Sequence, residues 1–279
     1  MKNKLLITFS GGRTSAYMAW FLHHEWEDRD NWDKIVVFAN TGKEAEGTLF
    51  FVDECANEWD IDIKWIESYP SEKGKGWGVN HKLVTYETAS RNGEPFEAMI
   101  KKLGIPFQSA PFCSTQLKKS AIKDYLKSLG WTNYYTAIGI RHDEQNRISK
   151  NKERDKIIYP LAEIKPMNKN QIKQWWDNQS FDLDIHPDDG NCVCCWKKSF
   201  TVLARIMERS PKSFDWWQEM IDEYGISKHD LYKGEKQSFY RGNKSINDIK
   251  EMAKISQAEL KQITMFDPID GCQESCEAF

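Results

Sequence analysis

The sequence predicts an α/β fold: a parallel twisted sheet with helices on both faces, joined to a mainly helical, cysteine-bearing C-terminal region. Three observations carry this. Short apolar runs with β-branched residues alternate with helix-period segments from Leu5 to Leu161, the pattern of repeated β–α–β crossovers. A glycine turn, Ser10-Gly11-Gly12, stands between the first such run and the first helical segment. Further on the strand-like runs stop, helical segments follow, and cysteine pairs flank them at Cys192–Cys195 and Cys272–Cys276. The expected division is therefore an α/β domain over 1–168 and a helical, cysteine-containing region over 169–279.

Each element follows from its own pattern. Leu5 to Phe9 is a short apolar run, read as a strand, and from Thr14 the spacing turns helical through Ala16, Met18, Ala19, Phe21 and Leu22. Ile35 to Ala39 reads as a second buried strand, ended by Asn40-Thr41-Gly42. Thr48 to Trp59 reads as a helix and Ile61 to Ile66 as a third strand. Ser68 to Asn80 holds glycines among polar residues and reads as a loop. A helix spans Glu94 to Leu103 and stops at Gly104. Leu117, Ile122, Leu126 and Leu129 share one helical face within Ser114 to Leu129, with Gly130 as the stop signal. Tyr134 to Ile140 and Ile157 to Leu161 complete the expected strands. Beyond them, helices are expected over 170–178, over 200–224 with an interruption at Pro211, and over 246–263.

The formal charge is −3, with acidic and basic residues nearly balanced, so there is no general attraction to nucleic acid or anionic lipid. No apolar run has the length needed to span a bilayer, and Met1 to Phe9 is too short for a signal peptide. A cytoplasmic location without membrane contact is expected. Seven cysteines are present. In a reducing compartment such a number, clustered, points to metal or redox chemistry rather than to disulfides.

The loop Ser10-Gly11-Gly12-Arg13-Thr14-Ser15 lies between a strand and a helix N-terminus. Such a loop offers unpaired N–H groups and the positive end of the helix dipole. Its glycines let backbone approach an anion, its hydroxyls add donors and Arg13 adds charge, so together these residues make a phosphate cradle. No Gly-Lys-Ser/Thr follows, so it is not a P-loop, and the third glycine of a dinucleotide fingerprint is missing.

Phe9-Ser10-Gly11-Gly12-Arg13-Thr14-Ser15 resembles the pyrophosphate-loop (PP-loop) motif of the adenine nucleotide alpha hydrolase-like superfamily. Within it, the chain is similar to the phosphoadenosine-phosphosulfate (PAPS) reductase-like proteins found in phages and bacteria. Four further segments match in order: Phe38 to Glu44, containing Asn40-Thr41-Gly42; Cys113 to Lys118; Gly139 to Glu144, containing Gly139-Ile140-Arg141; and Tyr159-Pro160-Leu161. The resemblance implies a Rossmann-like sheet whose carboxyl edge binds ATP or PAPS. It implies that Ser10, Gly11, Gly12, Arg13, Thr14 and Ser15 hold phosphate or sulfate, and that Asn40, Thr41 and Gly139 line the nucleotide. Lys118 and Arg141 are the natural partners of the anionic group, and Cys113, Lys118 and Arg141 are the expected catalytic residues. One departure stands out: ATP-pyrophosphatase members usually carry Asp where this chain has Thr14, which weakens the case for Mg²⁺-assisted adenylation at the loop.

Cys192 and Cys195 form a Cys-x-x-Cys pair, and Cys272 and Cys276 a slightly wider one. Two such pairs can close a tetrahedral site, and thiolates suit zinc or an iron–sulfur cluster equally. The resemblance implies a 4Fe-4S cluster in which Cys113 joins Cys192 and Cys195, with Cys272 or Cys276 as fourth ligand. Zn²⁺ held by the two pairs is the alternative. Cys55 lies on an apolar helix face and reads as core.

The tryptophan pairs Trp175-Trp176 and Trp216-Trp217 read as packing rather than as a stacking platform for bases. The expected function is a PAPS reductase-like oxidoreductase or sulfurtransferase. ATP-dependent, iron–sulfur-assisted thiolation of a base in tRNA or DNA is the alternative, and a non-catalytic nucleotide-binding protein is a further one. The oligomeric state is not legible in the sequence.

Overall fold

The computed structural model describes residues 2–71, 78–107, 111–226, 234, 236–255 and 259. Along the chain run β1 (Asn3–Phe9), α1 (Arg13–His24), β2 (Trp32–Asn40), α2 (Glu46–Trp59), β3 (Ile63–Pro70), β4 (Val79–Val84) and α3 (Glu94–Leu103). Then come α4 (Phe112–Ser114), a π-helical turn (Thr115–Ser120), α5 (Ala121–Ser128), β5 (Tyr135–Ala137), α6 (Lys152–Asp155), β6 (Ile157–Ile158) and α7 (Pro160–Glu163). The remaining helices are α8 (Lys169–Trp176), α9 (Phe200–Arg209), α10 (Asp215–Tyr224) and α11 (Ile246–Met252).

The strands form one six-stranded sheet in the order β4-β3-β2-β1-β5-β6. All neighbours are parallel except β3 and β4. The α/β class read from the sequence is therefore the one the chain adopts. Its two covered faces are visible in the alternation of side chains along each strand. Leu5, Ile7 and Phe9 of β1, Val36 and Phe38 of β2, and Ile63 and Trp65 of β3 face α1, α2 and α8. Leu6, Val37, Ala39 and Ile66 face the other way, against Ala121, Ile122, Tyr125 and Leu126 of α5.

A separate apolar cluster joins α3 to the later helices: Phe96, Met99 and Ile100 pack with Leu203, Ile206, Trp217 and Ile249. The apolar clusters thus do not part at residue 168. Ile172, Trp176 and Leu183 belong with the sheet, whereas Phe112 and Leu117 belong with α9 to α11. Trp176 and Trp217 are each only 2% exposed, so both tryptophan pairs contribute a packed core residue.

Two expectations are corrected. The segment read as a loop to Asn80 ends in β4, an antiparallel edge strand that begins at Val79. Its polar Asn80, His81 and Lys82 hide it from an apolar-run search. The last strand is two residues long, because Pro160 opens α7 instead of extending the ladder. The expected helix over 246–263 ends instead at Met252, where a turn over 253–255 follows, and most of its second half lies outside the described residues. Among the described residues no helix is long and apolar enough to cross a membrane.

Candidate functional site

The carboxyl ends of β1, β2 and β5, adjacent in the sheet, bring three loops to one edge, where open α/β sheets hold their ligands. The first loop is closed on itself. Ser15 Oγ accepts from the Ser10 N–H at 3.1 Å, lies 2.9 Å from the Ser10 hydroxyl, and donates to the Gly12 carbonyl at 2.9 Å. Gly11 has φ +83°, and a Cβ there would stand 2.5 Å from Thr48 Cγ2. Both facts demand glycine. No side chain caps the start of α1 and no acid lies in its first turn, so its N-terminal N–H groups and positive dipole end remain for an anion.

Arg13 turns to the protein. Its guanidinium makes two hydrogen bonds to Asp182, at 2.7 and 2.8 Å, and one to the Leu183 carbonyl at 2.7 Å. The Trp176 indole donates to the Arg13 carbonyl at 3.1 Å. The segment after α8 is thereby strapped onto the loop. Sequence reading did not single out Asp182, because its partner is 169 residues away.

The loop after β5 meets the first one at close range. A Cβ on Gly139 would lie 3.2 Å from Ser15 Cα. Arg141 donates to Thr14 Oγ1 at 3.3 Å and to Asp143 at 3.0 Å, with Glu144 3.6 Å away. Burial raises the Asp143 carboxyl, but the bonds from Arg141 and the Lys169 N–H outweigh it and hold the group below the usual carboxylate range. Arg141 is thus an oriented cation beside Thr14.

In the loop after β2, the side chains of Asn40 and Thr41 shape the backbone. Asn40 donates to Glu67 at 2.7 Å and to the Ser90 carbonyl at 2.9 Å, and accepts from the Gly42 N–H at 3.1 Å. Thr41 donates to Glu44 through both its N–H and its hydroxyl. Glu44 in turn lies 3.7 Å from the Lys118 ammonium, and both side chains are buried. Lys118 sits in the π-helical turn that follows α4, an irregularity enriched at functional sites.

The first cysteine pair arrives at the same edge. Asn191 donates from its side-chain amide to the Ser10 carbonyl, and its own carbonyl accepts from the Ala45 N–H at 3.3 Å. Cys192 pairs with Glu44 in an isolated antiparallel bridge, and the Cys195 N–H closes a turn onto the Cys192 carbonyl at 3.2 Å. The only signal for Asn191 in the sequence was its place between Gly190 and Cys192.

Cys113 and Cys192 are half-buried against the cluster that contains buried Cys194. The Cys194 thiol lies 3.2 Å from the Ser213 carbonyl, and burial pushes it far above the ordinary thiol range despite nearby Lys198 and Lys43. Cys194 is therefore an inert packing thiol, as is fully buried Cys55. The donor chemistry of the remaining thiols suits iron–sulfur or zinc. Among the described residues, no group of three or more His, Cys, Asp or Glu side chains is gathered so as to hold a metal ion. Cys272 and Cys276 lie outside the described residues.

No family model matches the chain. It is 34% identical over 285 residues to the uncharacterized nin region protein ORF290 of Escherichia phage lambda, spanning 98% of this chain and 94% of that one. It is 22% identical over 268 residues to the uncharacterized protein MJ0973 of Methanocaldococcus jannaschii, with 91% of this chain and 56% of that one covered. For MJ0066 of the same organism the values are 24% over 256 residues, 84% and 44%. Among solved structures it is similar to the U34-tRNA thiolase NcsA from Methanococcus maripaludis with its 4Fe-4S cluster, at 15% identity and a TM-score of 0.38, covering 88% of this chain and 83% of that one.

Proposed function

The chain belongs to the family of the nin region protein ORF290 of Escherichia phage lambda, and on that premise we propose that it is an adenine-nucleotide-dependent enzyme of sulfur transfer. ATP sits at the carboxyl edge of the sheet, with its phosphates on the loop Ser10 to Ser15. A carbonyl oxygen of a base in tRNA or DNA attacks the α-phosphate and pyrophosphate leaves. Sulfide then adds at the activated carbon, and AMP departs with the former carbonyl oxygen.

The observation that carries this reading is the fastening of the cysteine loop to the glycine loop, through Asn191 to Ser10 and through Cys192 to Glu44. Thiols anchored beside a nucleotide loop suit sulfur delivery from a fixed point. Backbone N–H groups of the first turn of α1 would hold the leaving pyrophosphate, and the Ser10 and Ser15 hydroxyls, bonded to each other and to the Gly12 carbonyl, would keep the loop in shape for it. Arg141 and Lys118 would balance its charge. Asn40, Thr41 and Gly139 would shape the adenosine side. Cys113, Cys192 and Cys195, with Cys272 or Cys276, would hold a 4Fe-4S cluster, or the pairs Cys192–Cys195 and Cys272–Cys276 would hold Zn²⁺; either would supply a site for binding sulfur or polarising it.

A second reading, reduction of PAPS by a thiol, is favoured by one feature. Thr14 stands where a Mg²⁺-assisted adenylating loop would use Asp.

Anaerobic incubation with ATP, sulfide and tRNA or DNA, followed by assay of pyrophosphate and mass spectrometry of the nucleosides, tests the first reading. Incubation with PAPS and a dithiol, with assay of sulfite, tests the second. Thionucleoside and pyrophosphate are expected. Sulfite alone would replace the first reading with the second. Neither product, with ATP still bound, would leave a non-catalytic nucleotide-binding protein.

A further inference from the structure

A cavity of about 220 Å³ lies between the first turn of α1 and α8. Arg13, Thr14 and Arg141 reach its wall from the site described above, and Lys169 and Lys173 reach it from α8. The two lysines are four residues apart and so share one helical face, while Ile172 and Trp176 of the same helix are buried. Four cations therefore line one small space. The wall also holds the carboxylates of Asp177 and Asp182; Asp182 is engaged by Arg13, and Arg141 is bonded to Asp143.

Like charges at this spacing work against a helix. The arrangement is held by Trp176, buried against the sheet and bonded to the Arg13 carbonyl. Thr14 fits the same logic. It puts a neutral hydroxyl, bonded to Arg141, at the point of the wall where related adenylating loops would carry a carboxylate. Ile172 and Trp176 add an apolar wall suited to a sugar. The α8 lysines are not needed at the polyphosphate, which the N–H groups of the first turn of α1 serve.

We propose that this cavity is a second anion subsite, which takes a phosphate ester carried by the substrate next to the nucleotide loop. The inference rests on the reading of that loop as a nucleotide site. The phosphate belongs either to the backbone of a nucleic-acid acceptor or to the 3′ position of a bound adenosine nucleotide.

The test is equilibrium binding to the full chain and to its Lys173→Ala, Lys173→Glu and Lys169→Ala/Lys173→Ala variants. The probes are ATP, adenosine 3′,5′-bisphosphate beside 5′-AMP, and a labelled single-stranded RNA oligonucleotide at several salt concentrations. ATP affinity is expected to stay unchanged in every variant. If the phosphate is the nucleotide's own, the bisphosphate binds the parent about 10-fold tighter than AMP and the double variant loses that margin. If it is the acceptor's, RNA binding weakens about 10-fold, and the slope of log affinity against log salt falls by about 1 per lysine. In both cases Lys173→Glu must lose more than Lys173→Ala. Unaltered binding of both phosphate probes to the double variant, with ATP still bound, would overturn the subsite, as would a loss that ignores the sign of the charge. Failure of the parent chain to bind ATP would instead overturn the nucleotide reading itself.

Discussion

Asn191 donates a hydrogen bond from its side-chain amide to the main-chain carbonyl of Ser10. That bond joins the loop carrying Cys192 and Cys195 to the loop expected to hold phosphate. It is reinforced by the Ala45 N–H on the Asn191 carbonyl and by the pairing of Cys192 with Glu44. On the α8 side, Arg13 holds Asp182 and Leu183, and Trp176 holds the Arg13 carbonyl. The glycine loop is therefore gripped by two segments of the later chain, so its geometry depends on both.

Asn191→Leu should loosen the first grip. The residue is 4% exposed and its Oδ1 has no hydrogen-bond partner among the described residues. The substitution leaves the Ser10 carbonyl without its donor, at a cost of about 1–2 kcal/mol. Chemical denaturation should register that loss, and ATP titration should show weaker binding. Unchanged stability and unchanged affinity together would mean that the contact is incidental.

Gly11→Ala should be far more damaging than Gly130→Ala. Both glycines have positive φ, +83° and +72°, so both substitutions incur backbone strain of about 1 kcal/mol. At Gly130 an added Cβ meets nothing within 4 Å, whereas at Gly11 it meets Thr48 Cγ2 at 2.5 Å. Thermal melting of the two variants isolates the steric part. Nucleotide binding should survive at Gly130→Ala and be lost at Gly11→Ala.

What the sequence revealed, and what it hid, divides along physical lines. β1, β2 and β3 were legible because each carries a buried run such as Leu5-Leu6-Ile7 or Val36-Val37-Phe38. β4 was hidden because an edge strand with one partner needs no such run. The π-helical turn that carries Lys118 was hidden because Ile122, Leu126 and Leu129 keep an ordinary helical spacing after it; the wider five-residue step from Leu117 to Ile122 was its one trace in the sequence. The glycine loop could be found from strand, turn and helix signals that lie side by side in the chain. Asp182, Asn191 and Trp176 could not, since their partners at Arg13 and Ser10 are more than 160 residues away and no local pattern encodes the meeting. Cys194 is buried and lies 3.2 Å from the Ser213 carbonyl, a contact that no local pattern encodes.

Arg141→Lys should separate binding from folding. The guanidinium reaches Thr14 Oγ1 and Asp143 at once, and Glu144 lies within 3.6 Å. A single ammonium cannot reproduce that fork. ATP affinity is expected to fall about 10- to 100-fold, the range of a lost charge-assisted hydrogen bond, while the melting temperature changes little. An affinity equal to that of the parent would remove Arg141 from the site.

Acid should undo the scaffold beneath the cysteine loop. The Arg205 guanidinium grips Asp188 through two hydrogen bonds, at 2.9 and 2.5 Å, and holds its carboxyl below the usual range; burial opposes this, and the charges of Arg205, His186 and Arg209 add to it. The carbonyls of Asp188 and Asp189 in turn receive the buried Lys198 ammonium, at 2.9 and 2.6 Å. A carboxyl whose folded pKa is depressed stabilises the fold fully above its unfolded value of about 4 and loses that contribution as pH falls through the lower folded value. Asp188→Asn lacks the contribution at every pH. The variant should therefore be less stable than the parent near pH 7, and the gap should narrow as pH drops below about 4. Denaturant midpoints measured across that range give the comparison. A gap that is absent at neutral pH, or that persists undiminished in acid, would show that the Asp188–Arg205 pair does not govern the acid sensitivity of this loop.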